Sequence, residues 1–226
     1  MNALCAFLCV AAAYLTGGVN FAIIFTRLLT GKDIRTMGNK NPGASNMGRT
    51  VGRGWGIFVM ILDGLKALVP ILLVRIFLFN DSTALDYGVL YAMGIAAVLG
   101  HIFPLWYGFK GGGGVATMLF VSLWFVPLEF ALSVLIGGGA ALLFMRKRGM
   151  WLTQWAPIFF VTLTPFLNLA VTLAIDAPVW KNISLGGHPW TVVAGCFVLS
   201  LMMMGLNMRL LAAKVKNRHW EKHPEV

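Results

Sequence analysis

Charge is scarce in this chain. Only 12% of its 226 residues are charged, about half the roughly 25% usual for a soluble domain. So few charges cannot coat a globule in water, which excludes an ordinary soluble domain. Cysteine is sparse too. Cys5 and Cys9 share one apolar run and Cys196 lies in another. That pattern gives neither a disulfide framework nor metal-ligand spacing. All three read as lipid-facing or packing residues, since free cysteine behaves as a small hydrophobe. No metal and no cofactor are expected. The first apolar run, MNALCAFLCVAAAYL, has no basic segment ahead of it and continues to Leu29. It is therefore expected to be a retained first span and not a cleaved leader. No fixed-period repeat or low-complexity linker divides the chain, so residues 1–226 read as one domain.

What the chain does have is long apolar runs, and 58% of its residues are hydrophobic. A helix rises about 1.5 Å per residue, so crossing about 30 Å of hydrocarbon takes about 20 apolar residues. Candidate runs fall at roughly 3–29, 55–80, 87–107, 115–127, 128–145, 151–175 and 189–212. The expected fold is all-α: a polytopic membrane protein of about seven transmembrane helices. The fourth run is short, and Pro127 and Glu129 mark a turn after it. The fourth and fifth runs are either full spans or a shallow re-entrant hairpin. Both options return the chain to the side it left.

The placement of charge orients these runs. Connection 30–54 carries Lys32, Arg35, Lys40, Arg49 and Arg53 against Asp33. Connection 146–150 carries Arg146, Lys147 and Arg148, and the tail 213–226 carries Lys214, Lys216, Arg218 and Lys222. The intervening connections hold Asp81, Asp86, Glu129 and Asp176, with Lys181 as their exposed base. Basic connections mark the cytoplasmic side. The N-terminus is then outside and the C-terminus cytoplasmic. The net charge of +10 does not point to nucleic acid, because the bases are spread over separate short connections. Anionic lipid headgroups suffice as the partner of the tail.

Three segments are too unusual for plain connections. The first is the loop from Gly38 to Arg49, with Asn39, Asn41, Gly43, Ser45 and Asn46 between. Asparagine amides both donate and accept, and the Arg49 guanidinium suits phosphate or carboxylate. Asn41, Asn46 and Arg49 are read as a ligand site, and Lys32 and Arg53 as positive anchors at the membrane face. The second segment runs from Gly100-His101 through Lys110 to Thr117 and contains loop 108–117. Four consecutive glycines, Gly111, Gly112, Gly113 and Gly114, open a helix. Free amides at a helix start make an anion site. No Walker spacing follows. Lys110 either meets the ligand or snorkels to the interface. His101 either meets the ligand or is buried and hydrogen-bonded. The third feature is Asp63 and Lys66 inside the second run. Spaced i, i+3 they share a helix face, and they read as a structural pair bracing the site. No Ser-His-Asp or Cys-His arrangement is evident.

These segments resemble the bacterial acyl-phosphate:glycerol-3-phosphate acyltransferases. The residues that carry the resemblance are Gly31-Lys32-Asp33-Ile34-Arg35, the Gly38–Arg49 loop, Asp63-Gly64-Leu65-Lys66, Gly100-His101-Ile102-Phe103-Pro104, Phe109-Lys110-Gly111-Gly112 and Gly114-Val115-Ala116-Thr117. Together they cover roughly residues 15–120 in the family's order. The resemblance implies transfer of a fatty acyl group from acyl phosphate to the 1-hydroxyl of glycerol 3-phosphate. The implied products are lysophosphatidic acid and inorganic phosphate. It implies catalytic roles for Arg49, Lys110 and Asn46. It implies substrate binding by Asn39, Asn41, Gly43, Ser45, His101, the four glycines and Thr117, and by Asn207 and Arg209 near the C-terminus. It also implies that the substrate's own phosphate serves as base, with the site on the cytoplasmic face of the bacterial cell membrane. The His-x4-Asp box of acyl-CoA-type acyltransferases is absent, because Trp106 stands five residues after His101.

Some positions differ from the family pattern. Asn39 and Lys40 stand where the family has Ser and Gly, and Gly113 stands where it has a second lysine. Three functional readings remain at this point. They are an acyltransferase with a rearranged acceptor pocket, a non-catalytic relative that binds acyl phosphate or anionic lipid, and a small anion transporter. The last lacks the duplicated broken helices many transporters show.

Overall fold

The computed structural model describes residues 2–79, 83–145, 152–174 and 189–216; for 141–142, 144–145, 152–158 and 207–216 it describes the backbone alone. Asp81, the Arg146–Arg148 connection, Asp176, Lys181 and the tail from 217 onward lie outside the described residues. Every described element is a helix, in the order α1 Ala3–Gly17, α2 Phe21–Thr30, α3 Ala44–Thr50, α4 Arg53–Phe77, α5 Ala84–Ile102, α6 Val115–Phe125, α7 Pro127–Met145, α8 Leu152–Ala174 and α9 Trp190–Lys216. Short 3-10 turns sit at Ile34–Thr36 and Leu105–Tyr107.

The apolar runs fall on helices, with three segments long and apolar enough to cross a membrane: Ala3–Thr30, Arg53–Phe77 and Ala84–Tyr107. The other apolar stretches among the described residues are shorter: Val115–Phe125, Pro127–Ala140, Phe159–Ala174 and Trp190–Leu206. At 11 residues, α6 is about 16 Å long, roughly half the hydrocarbon thickness.

The first run is broken. Helix α1 stops at Gly17–Gly18, and α2 restarts after Asn20, whose backbone is extended at φ −108°, ψ 98°. Asn20 caps α2 by accepting from the Ile23 amide at 3.0 Å. A break within a membrane leaves carbonyls needing donors. Lys66 fills that need here, donating to the Val19 carbonyl at 2.7 Å.

Helix α5 lies at the centre, packed on α1, α4, α6 and α9. Its buried residues Leu90, Tyr91, Met93, Ala97 and Val98 join Val121, Phe125, Val192, Leu199 and Met203 in the main core. A second, smaller core of Ala22, Ile23, Ile34, Met47 and Val59 underlies the 38–50 segment. The approach of α1 to α5 depends on small residues. A Cβ on Gly100 would strike the Tyr14 carbonyl and stand 2.9 Å from the Gly18 nitrogen. Both are backbone atoms, so the helices themselves would have to part. Gly100→Ala is expected to cost about 1–3 kcal/mol by overpacking. Thermal unfolding in detergent checks this, as a Tm lower by roughly 2–4 °C per kcal/mol.

Candidate active site

The loop between α2 and α3 is organised around one buried amide. Asn46 donates through Nδ2 to the carbonyls of Met37 at 3.0 Å and Ile34 at 3.3 Å. Its Oδ1 accepts from the Asn39 amide at 3.1 Å. Asn46 is 1% exposed, and its polar atoms bond within the loop. Asn39 Oδ1 accepts from the Asn41 amide at 3.1 Å, continuing the turn. Asp33 clamps the loop's first cations, with Oδ2 at 2.8 Å from Arg35 and 2.6 Å from Arg27. Hydrogen bonding from Arg35, reinforced by Arg27, holds the Asp33 carboxyl well below the usual carboxylate range. These two arginines share that one carboxylate. Arg49 is exposed and among the described residues donates to Ser45 Oγ, at 3.2 Å; Lys40 and Lys110 are exposed as well.

The glycine loop is less open than its sequence suggests. Gly111 donates to the Ile102 carbonyl at 3.0 Å and Gly112 to the His101 carbonyl at 3.1 Å. Two of the four glycine amides are therefore spent on the end of α5 and do not face a ligand. Those of Gly113 and Gly114 are not used this way. They lead into α6, whose N-terminus has no side-chain cap. Uncapped helix amides with the positive end of the helix dipole favour an anion.

The two loops meet. The Asn20 amide donates to the Pro42 carbonyl at 3.0 Å, and a Cβ on Gly112 would stand 2.9 Å from that same oxygen. Asn41 Nδ2 lies 3.7 Å from the Cβ position of Gly43 and 3.9 Å from that of Gly113. One asparagine amide thus sits between the first loop and the second.

A buried cluster supports this junction. Lys66 Nζ lies 2.8 Å from Asp63 Oδ1, 2.8 Å from His101 Nδ1 and 2.7 Å from the Val19 carbonyl. An ammonium only donates, so Nδ1 accepts and the ring hydrogen sits on Nε2. The alternative contact, Nδ1 to Asp63 at 3.6 Å, is too long to compete. His101 Nε2 faces Gly112 closely enough that a Cβ there would overlap it. His101 is 3% exposed and lies under the loop, so of its two alternatives the structure takes the buried, hydrogen-bonded one. Thr117 is buried as well. Its hydroxyl donates to the Asp63 carbonyl at 2.9 Å and ties α6 to α4. Both were expected to bind substrate; here His101 is held by Lys66 and Thr117 by the Asp63 carbonyl. Asn207 and Arg209 lie on α9, and their side chains lie outside the described residues.

Val19, Asn20 and Pro42 were missed in the sequence. The signal for Asn20 was available: a polar side chain two residues after Gly17-Gly18 in an apolar run marks a break with a cap. Among the described residues, no group of three or more metal-ligating side chains occurs.

The chain matches a protein family described as Glycerol-3-phosphate acyltransferase, over residues 7–208. The Glycerol-3-phosphate acyltransferase of Anaeromyxobacter dehalogenans (strain 2CP-C) is 44% identical over 132 residues, 58% of this chain and 64% of that protein. That of Aquifex aeolicus (strain VF5) is 37% identical over 159 residues, 70% of this chain and 76% of that protein. The match therefore spans under two thirds of the Anaeromyxobacter protein's length, at 64%. Among solved structures, PlsY (YgiH), an integral membrane glycerol 3-phosphate acyltransferase in its glycerol 3-phosphate form, superposes with a TM-score of 0.70 at 29% identity. It covers 94% of this chain and 92% of its own. Its lysophosphatidic acid form gives a TM-score of 0.70 at 27% identity.

Proposed function

We propose that this chain, which belongs to the glycerol-3-phosphate acyltransferase family, transfers a fatty acyl group from acyl phosphate to glycerol 3-phosphate at the junction of its 38–49 and 110–114 loops. The observation that carries this reading is the Asn41 amide standing between Gly43 and Gly113. It brings two cation-bearing, glycine-rich segments to one place. Both substrates bear phosphate, so a single site needs two anion pockets. Arg49, Lys110 and the amides of Gly113 and Gly114 are suited to fill them. The hydroxyl oxygen of the acceptor attacks the acyl carbonyl, a C–O ester bond forms, and the C–O bond to phosphate breaks. The hydroxyl proton passes to a phosphate oxygen, and inorganic phosphate leaves. Phosphate leaves readily, so no protein nucleophile is needed. Amides near the attacked carbonyl stabilise its developing charge.

In this reading Asn46, His101, Thr117, Asp63 and Lys66 position the loops without touching substrate. Asn39, Asn41 and Ser45 remain at the site, Ser45 by way of Arg49. The basic 30–54 connection supports a cytoplasmic placement of this face, in the cell membrane of a bacterium, with the N-terminus outside and about seven crossings. Membrane lipid would supply the acyl donor laterally. Lysophosphatidic acid is the expected product, an early intermediate for phospholipid synthesis.

The test is release of inorganic phosphate from palmitoyl phosphate by the purified protein. Release is expected only when glycerol 3-phosphate is added, one phosphate per acyl group transferred. No release with glycerol 3-phosphate or with a panel of other phospho-alcohols would contradict the reading.

A further inference from the structure

Lys40 adopts a left-handed backbone, at φ 61°. Only one other non-glycine residue among those described does so: Phe109, at φ 59°. Side chains with a Cβ avoid this region, and such outliers gather where function holds them. Here one outlier lies in each of the two loops that meet at Asn41. Phe109 immediately precedes the exposed Lys110, and Lys40 itself carries a charge.

The fold does not account for the lysine. The turn is held by backbone and neighbouring amides: Lys40 N–H donates to the Met37 carbonyl at 2.9 Å, and Asn41 N–H to Asn39 Oδ1 at 3.1 Å. Glycine would make the same bonds without strain. The Lys40 side chain is exposed, and its ammonium has no hydrogen bond or ion pair with a described residue. Arg27 and Arg35, by contrast, are held by Asp33. A solvated lysine gains nothing from a left-handed backbone.

The neighbourhood points toward a ligand. Lys40 is the residue before Asn41, whose Nδ2 borders the Cβ position of Gly113 at 3.9 Å. Among the described residues, chain neighbours aside, that amide alone lies within 4 Å of where a Gly113 side chain would begin. The opposite loop therefore presents open space and backbone amides here, with no cation of its own at that position.

We propose that Lys40 is a phosphate-binding residue of this site, reaching from the 38–43 turn into the opening that Gly113 leaves. The ligand is the phosphate of a substrate, held by a compact point charge. The inference rests on the acyl-transfer reading for which substrate is held, and on geometry alone for the phosphate.

The test pairs stability with binding. Lys40→Gly removes the ammonium and relieves the backbone. Its Tm in detergent is expected to rise by about 2–4 °C, while the Kd for glycerol 3-phosphate or the KM for palmitoyl phosphate rises about tenfold. Whichever constant moves identifies the substrate whose phosphate Lys40 holds. Lys40→Gly/Gly113→Lys returns the charge from the facing loop and is expected to recover most of the lost affinity. A residue that only shapes the turn would give a stabler protein with unchanged constants, and that result would overturn the inference. So would a wild type that binds neither glycerol 3-phosphate nor inorganic phosphate, measured by calorimetry. A wild type that binds glycerol 3-phosphate through Lys40 but transfers no acyl group would overturn the acyl-transfer reading and leave this inference standing.

Discussion

Lys66→Met is expected to destabilise the folded chain by about 3–5 kcal/mol, the cost of stranding one charge of a buried pair. Lys66 Nζ holds Asp63 at 2.8 Å, His101 at 2.8 Å and the Val19 carbonyl at 2.7 Å. Without it, Asp63, 1% exposed, loses its cation, and the next titratable neighbour among the described residues is the His101 ring at 3.6 Å. The Val19 carbonyl, at the break between α1 and α2, also loses its donor. Thermal unfolding in detergent is expected to show Tm lower by roughly 10 °C or more. Asp63→Asn/Lys66→Met removes both charges and is expected to recover a large part of that loss, because a neutral pair carries no uncompensated charge. A single variant as stable as wild type would show that the ion pair contributes nothing to the α1–α4–α5 junction.

The second large effect concerns activity. Gly112→Ala places a methyl group on the His101 ring and 2.9 Å from the Pro42 carbonyl. His101 is buried and fixed by Lys66, and Pro42 is fixed by Asn20, so neither neighbour yields easily. The loops must separate. Misplacement by about 1 Å at a site that works by positioning costs on the order of 100-fold. The expected result is therefore a kcat/KM for acyl transfer about 100-fold below wild type. Gly54→Ala is the control: its Cβ meets nothing within 4 Å, and it is expected to stay within about threefold. Equal rates for the two variants would mean that the contact between the loops does not matter for turnover.

The helices were legible because lipid makes a simple demand. Backbone groups must be satisfied within each segment, so apolar runs of sufficient length become helices. The expected run 115–127 is α6 at Val115–Phe125, and 128–145 is α7 at Pro127–Met145. The break at Asn20 was not read, because Gly17-Gly18-Val19-Asn20 is short and apolar runs continue on both sides. What permits the break is Lys66, 47 positions away in sequence, and no local pattern shows that.

That the two loops are unusual was legible, and which of their side chains are buried was not. Glycines, asparagines and cations clustered at two connections gave the location. Which of them face outward is a matter of packing. Asn46 and Arg49 lie on the same short helix α3, yet Asn46 turns inward to Met37 and Ile34 while Arg49 stays exposed. His101 and Thr117 flank the glycine loop in sequence and lie beneath it in space. The glycine amides divide likewise, with Gly111 and Gly112 bonded to the end of α5. Lys40 carries a backbone strain that its identity alone does not reveal.

In the proposed reaction the exposed Arg49 guanidinium meets a substrate phosphate. The direct measurement is acyl transfer from palmitoyl phosphate to labelled glycerol 3-phosphate, wild type against Arg49→Ala. Loss of a charged hydrogen bond is worth about 1.5–3 kcal/mol, so the predicted outcome is labelled lysophosphatidic acid from the wild type and a kcat/KM roughly 10- to 150-fold lower in the variant. Equal rates for the two proteins, or no labelled product from the wild type, would contradict it.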